Sequence, residues 1–323
     1  MKFQELKKNL IDCAMPVYLI DGEDAFFRER AVKLIEDRYL SNKEMNYSAF
    51  EGSELKNNVE TFISAVTSYP FLSEKRIVVV RDYYPLAQDL KNKTLTEYFD
   101  NPEQSTVLII VNSQKNENVK KLKNVTYVDC GKGSDALLVK WIENEFKSAG
   151  IACDKEACFK LIEYCLSDMT KINNETQKLI GYCAERKTVT AKDVEALVVK
   201  DSDYQVYEMV QAAAEANYKK AYDSLYDLLS KNNDEQKLFV SLYFYFRRLL
   251  FCSVSDKTDS ELAAALGVKE YAVKKSREQA RAFSQKKLLN TVNYFTRCDA
   301  DFKSGKISLD NALWNSFFKV LIG

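Results

Sequence analysis

The 323-residue chain predicts an α/β N-terminal domain built on a parallel sheet, followed by two all-α domains. Three observations carry that expectation. Short β-branched runs alternate with helical periodicity through the first 133 residues, the pattern of βαβ units. Strand signals stop after Gly131-Lys132-Gly133-Ser134, a hinge-like tetrapeptide. Only 9 Gly and 4 Pro occur, which favours helix. The expected domains are 1–133, 134–203 and 204–323.

Pro16 to Ile20 reads as a buried strand, Gly22 as its turn, and Glu23 to Leu40 as a helix with acidic residues in its first turn. Asn46 to Phe50 is a weaker strand. Val59, Phe62, Ile63 and Val66 have helical spacing. Arg76–Arg81 and Thr106–Val111 are apolar, β-branched and too short for helices, so they are central strands. Val125 to Cys130 closes the series. In the second domain a helix carries Leu138, Trp141, Ile142 and Glu145 and ends near Gly150. Asp154 is placed to cap a helix from Lys155, Met169 to Cys183 is another, and Thr190-Ala191-Lys192-Asp193 is a capping-box pattern opening a helix through Val199. In the third, Val206, Met209, Val210 and Ala213 share one face, and Ala221, Leu225, Leu228 and Leu229 the next. Leu238 to Cys252, with Phe239, Tyr243, Phe244 and Phe246, reads as bundle core. Helical stretches at 258–266, 269–282 and 284–304 precede a last helix through Trp314 and Phe318.

The chain has no histidine, which excludes Ser-His-Asp, Cys-His and His-ligated metal chemistry. Its 8 cysteines (Cys13, Cys130, Cys153, Cys158, Cys165, Cys183, Cys252 and Cys298) show no zinc-type CxxC spacing; they read as small buried thiols in a reducing compartment, and no metal is expected. No apolar run reaches the roughly 18 residues of a membrane span, and the N-terminal stretch lacks a signal-type apolar core. The expected location is cytoplasmic, with no membrane partner. Net charge is zero, but 269–306 holds 10 basic against 4 acidic residues. Within it Lys269, Lys274, Lys275, Arg277, Arg281, Lys286 and Lys287 are candidates to meet DNA or an acidic neighbour, or they form a solvated face.

A strand, a Gly-containing turn and a helix open the chain, as in a P-loop fold. A phosphate cradle needs GxxxxGK[ST]; here Asp21-Gly22-Glu23-Asp24-Ala25-Phe26-Phe27-Arg28 has one Gly and three acids that repel phosphate. Gly131-Lys132 and Gly305-Lys306 lack the upstream Gly and the following hydroxyl. Val78-Val79-Val80-Arg81-Asp82 is an interrupted version of the acid-terminated strand that holds magnesium. The first domain is thus P-loop-like without a working P-loop, no cofactor is expected, and no catalytic site is expected in this chain. A second oddity is Tyr69-Pro70-Phe71-Leu72 before the Arg76 strand. A large apolar pair in a turn is either folded back onto the sheet or offered to a partner.

Val17 to Glu23, Tyr69 to Arg76, Ile172 to Leu179, Leu266 to Lys275 and Asp301 to Gly305, in this order and spacing, resemble the delta subunit of the bacterial DNA polymerase III clamp loader. The resemblance spans nearly the whole chain. It implies an AAA+-type first domain that is catalytically inactive, a small helical lid-like domain, and a collar domain that joins a five-subunit ring with delta prime and tau/gamma subunits. It implies that the chain binds the beta sliding clamp and opens its ring for loading on primed DNA in replication, as a non-catalytic subunit of a DNA-directed DNA polymerase (nucleotidyltransferase) holoenzyme. By position the clamp-inserting pair maps onto Pro70–Phe71 or Phe71–Leu72, with Phe71 the main anchor. An ATP-hydrolysing AAA+ or P-loop enzyme, and a helical adaptor that binds no clamp, are the alternatives.

Overall fold

A computed structural model of the chain describes residues 1–12, 15–232, 234–268 and 270–322. Cys13 and Lys269 lie outside the described residues. The chain divides into two compact units, Met1–Ser134 and Asp135–Gly323. The division falls at the end of the expected hinge, one residue past the expected boundary at 133, and residues 135–203 and 204–323 share the second unit.

The first unit runs α1 (Phe3–Asp12), β1 (Val17–Asp21), α2 (Ala25–Tyr39), α3 (Lys43–Asn46), β2 (Tyr47–Glu51), α4 (Gly52–Asn57), α5 (Val59–Thr67), β3 (Arg76–Arg81), α6 (Lys93–Asp100), β4 (Thr106–Asn112), α7 (Glu117–Lys120) and β5 (Val125–Asp129). The five strands form one sheet in the order β2-β3-β4-β1-β5, every pair parallel. Parallel strands need crossovers, and the helices supplying them cover the sheet on both faces. Val17, Leu19, Val78, Val80, Leu108 and Ile110 pack with Phe62, Val66, Tyr98 and Phe99 from α5 and α6. The alternate residues Tyr18, Ile20, Ile77, Val79 and Ile109 are also fully buried. That double burial is why these strands read as continuous apolar runs. Burying one such side chain stabilises the fold by about 1.5–3 kcal/mol.

The second unit comprises α8 (Asp135–Ser148), β6 (Ala152–Cys153), α9 (Lys155–Tyr164), α10 (Met169–Tyr182), β7 (Thr188–Val189), α11 (Ala191–Leu197), α12 (Ser202–Ala214), α13 (Tyr218–Asn232), α14 (Glu235–Val254), α15 (Asp259–Leu266), α16 (Glu270–Ala280), α17 (Gln285–Lys303) and α18 (Leu309–Ile322). Three details depart from the sequence reading. Strand structure does not end at residue 134: β6 and β7 pair in parallel, too short for any periodicity to signal. Asp154 occupies the N-cap position of α9 but makes no side-chain capping bond, whereas the Thr190–Asp193 capping box forms and α11 ends at Leu197. Phe239, Phe246 and Phe295 do meet in the bundle core, at centroid distances of 5.5 and 5.8 Å. Phe244, however, stands exposed. It belongs to an outer stripe on α14, Val240, Phe244, Phe251 and Val254, with the Arg247 guanidinium over both rings at 5.9 and 5.5 Å. A second exposed stripe carries Tyr218, Tyr222 and Tyr226 of α13, and Tyr222 meets Trp314 of α18 at 5.4 Å.

Candidate functional site

Two edges of the parallel sheet are candidates for a functional site. At the edge where strands begin, the loop between α5 and β3 carries the apolar tip. Phe71 is 53% exposed, Leu72 86% and Tyr69 79%. Met45, on the neighbouring entry to β2, is also exposed. The tip is not loose. Asn46 is wholly buried, and its side chain grips the Phe71 backbone from both sides. Its Oδ1 accepts the Phe71 N–H at 2.6 Å and its Nδ2 donates to the Phe71 carbonyl at 2.9 Å. Ser73 Oγ lies 2.7 Å from Ser41 Oγ and donates to the Lys75 carbonyl at 3.2 Å. Between these fixed points Leu72 sits at φ 49°, the left-handed region that a branched L-residue enters only at a cost of about 1–2 kcal/mol. The geometry follows from the sheet: β2 and β3 are parallel neighbours with Tyr47 opposite Ile77, so the residues entering them come side by side.

At the opposite edge, beyond the carboxyl ends of the strands, an α/β sheet of this kind holds its ligands. Here the chain's own groups fill the turn after β1. Asp24 Oδ1 accepts the N–H groups of Phe26 and Phe27 at 3.0 and 3.2 Å, and its own N–H donates to the Cys130 carbonyl at 3.2 Å. The Arg28 guanidinium donates to the Gly22 carbonyl, and Lys132 pairs with Glu23 at 2.8 Å. Gly22 has φ 151°, and a Cβ there would lie 2.1 Å from the Cys130 carbonyl carbon. Asp21, fully buried, accepts the Asn116 N–H at 2.7 Å. Burial pushes its carboxyl up to about 6, against the opposing bond from Asn116. Asn112 and Asn116 close the network on Tyr83, whose N–H donates to Asn112 Oδ1 at 2.8 Å and whose carbonyl accepts from Asn116 Nδ2 at 2.7 Å. The N–H groups of Phe26 and Phe27, first-turn donors that would meet phosphate, are therefore already bonded. Arg81, which interrupts the acid-terminated strand, makes a bidentate pair with Glu29 at 2.6 and 2.9 Å, and Asp82 is exposed at φ 52°.

The four basic candidates of α16 and its end separate into two kinds. Lys275 is held by Glu163 at 3.2 Å and Glu278 at 3.7 Å. Arg277 pairs with Asp259 at 2.7 Å and donates to the carbonyls of Cys252, Ser255 and Lys257 where α14 ends. Lys274 and Arg281 are exposed and form no ion pair among the described residues. The described cysteines carry free thiols; all are buried except Cys153, whose sulfur lies 3.4 Å from that of Cys158.

Comparison with known proteins decides the lineage. Residues 18–131 match the family described as "DNA polymerase III, delta subunit", and residues 203–318 match "DNA polymerase III delta subunit, C-terminal domain". The chain belongs to the DNA polymerase III delta subunit family. Similar relatives include the DNA polymerase III subunit delta of Bacillus subtilis (strain 168), 24% identical over 94% of this chain and 91% of that protein. The probable DNA polymerase III subunit delta of Aquifex aeolicus (strain VF5) is 23% identical over 88% of this chain and 85% of its own. Among solved structures, the Bacillus subtilis DNA clamp loader delta protein superposes with a TM-score of 0.79 at 22% identity, covering 99% of this chain and 98% of that one, and so shares the fold. Membership makes this a DNA replication protein, a subunit of the DNA polymerase III type. No helix among the described residues is long and apolar enough to cross a membrane. Sequence reasoning placed the tip but missed Asn46, Asn112 and Asn116. A lone Asn before a weak strand gives no signal until its strand neighbour is known.

Proposed function

We propose that this chain binds the beta sliding clamp through the 69–72 tip and opens its ring so that it can be loaded on primed DNA. The observation that carries the reading is a pair of large apolar side chains, Phe71 and Leu72, held out to solvent on a backbone that is itself fixed. A loop already ordered loses less entropy on docking than a flexible one. Both exposures favour the Phe71–Leu72 pair over Pro70–Phe71; Pro70 limits the turn's freedom instead.

Energetics allow the task. Roughly half of a Phe surface of ~200 Å² is open at Phe71, so its burial is worth about 2.5 kcal/mol, and burial of Leu72 about 2 kcal/mol. Together they approach the ~5.5 kcal/mol of differential binding needed to move an equilibrium from 1:99 to 99:1. Only contacts made better with the open ring than the closed one contribute. The 204–323 segment is the collar that joins delta prime and tau/gamma subunits, and the exposed stripes on α13 and α14 are surfaces of the kind it needs. The 134–203 segment is the lid-like domain, and Lys274 and Arg281 are the cations open to DNA or an acidic neighbour. ATP hydrolysis belongs to other subunits, a reading supported by the bonded donors of the β1–α2 turn.

The test is a sliding clamp labelled with a fluorophore pair across one ring interface. Added without nucleotide, the chain separates the pair, and Phe71→Ala and Leu72→Ala do so far less. A clamp that copurifies but stays closed refutes ring opening. Absence of any clamp binding points to the adaptor, and ATP turnover by the chain alone to the enzyme.

A further inference from the structure

We propose that Asn46 is the positioning residue of the clamp-binding tip, an inference that rests on the function proposed above. Asn46 is fully buried, yet it lies on a different segment from the tip, 25 residues earlier in the chain. Both halves of its amide are committed to one partner, the backbone of Phe71. Only one orientation of the amide satisfies both bonds, because the Phe71 N–H needs an acceptor and its carbonyl a donor. The Phe71 peptide is thereby tied as a strand residue would be, although it lies outside the sheet. Its side chain remains half exposed. The next residue, Leu72, is held left-handed with its side chain almost wholly in solvent. Such a conformation persists only where the surroundings over-determine it. The surroundings here are the Asn46 grip on one side and the Ser41–Ser73 contact on the other. Asn46 thus sets where both anchors point while itself reaching no partner.

The experiment is a double-mutant cycle on the full chain, read as affinity for the purified clamp and as thermal stability. Asn46→Asp is nearly isosteric. It keeps the acceptor for the Phe71 N–H but places a carboxylate oxygen against the Phe71 carbonyl. Asn46→Ala removes both bonds. Each is expected to weaken clamp binding by about tenfold, the usual consequence of losing such a bond. In a Phe71→Ala background either change is expected to weaken binding by less than about threefold, because only Leu72 is left for it to aim. A loss of the same size in both backgrounds means general structural support and overturns the proposal. Wild-type affinity in the Asn46 variants, with Phe71→Ala impaired, overturns it while leaving the tip's role standing. If Phe71→Ala itself binds normally, the tip reading fails and this inference with it. Should Asn46→Ala not fold, Asn46→Asp and hydrogen exchange of the unaltered chain carry the test. The Phe71 amide is expected to be protected, and exchange at the rate of an open loop overturns the proposal.

Discussion

Replacing Asp21 by Asn isolates a charge buried at the end of β1. Asp21 is fully buried, its Oδ2 accepts the Asn116 N–H, and its Oδ1 has no hydrogen-bond partner among the described residues. Burial raises its carboxyl from 3.8 to about 6. A group whose folded-state value is raised binds its proton more tightly in the native chain, so ionising it opposes folding. Below about pH 4 the carboxyl is protonated in both states and the penalty is absent. Through the window from about 4 to 6 the unfolded chain ionises first and stability falls. Above about 6 the full penalty stands. The rise from 3.8 to about 6, at 1.36 kcal/mol for each factor of ten in proton affinity, is about 3 kcal/mol. Asp21→Asn keeps an acceptor for Asn116 and removes the charge, though it puts an amide N–H where Oδ1 had no partner, at a cost of about 1–3 kcal/mol. That cost does not vary with pH. The quantity to measure is therefore the stability difference between variant and wild type, which is expected to move by about 2.5 kcal/mol in the variant's favour from pH 4 to pH 7. Urea unfolding followed by far-ultraviolet circular dichroism reports it. Trp141 and Trp314 both lie in the second unit, so tryptophan fluorescence serves as an internal control that should not move. A difference that stays constant over this range refutes the account of Asp21.

Gly22→Ala forces a Cβ to within 2.1 Å of the Cys130 carbonyl carbon at φ 151°, and is expected to destabilise the first unit by more than about 3 kcal/mol in the same assay. Arg277→Ala leaves Asp259 and three carbonyls without their donor; a loss of about 2–3 kcal/mol is expected in the fluorescence transition of the second unit. Lys274→Ala combined with Arg281→Ala is expected to leave stability unchanged. In the assembled loader it should lower the salt slope of primed-DNA binding by about 2, and an unchanged slope makes these residues a solvated face.

How much of this could be read from residues alone follows from where each signal lives. Val78–Val80 and Thr106–Val111 announced their strands because burial on both faces demands continuous β-branched runs. The vacant phosphate motif was legible as a missing GK[ST], but its replacement was not. The bonds from Asp24, Asn112 and Asn116 join segments far apart in the chain, that between Asn116 and Asp21 across 95 residues. Asn46 was hidden for the same reason: its role exists only because β2 and β3 are parallel neighbours. Phe244 misled because helical spacing cannot tell which of two aromatic stripes on a twenty-residue helix faces inward. Lys275 and Arg277 read as free cations because their partners, Glu163 and Asp259, lie on other helices.

The affinity of the chain for the sliding clamp in nucleotide-free buffer, wild type against Phe71→Ala, bears most directly on the central claim. The exposed half of the Phe71 ring predicts a weakening of about 30-fold or more, roughly 2 kcal/mol, with the melting temperature unchanged. Equal affinities of the two folded proteins would contradict it.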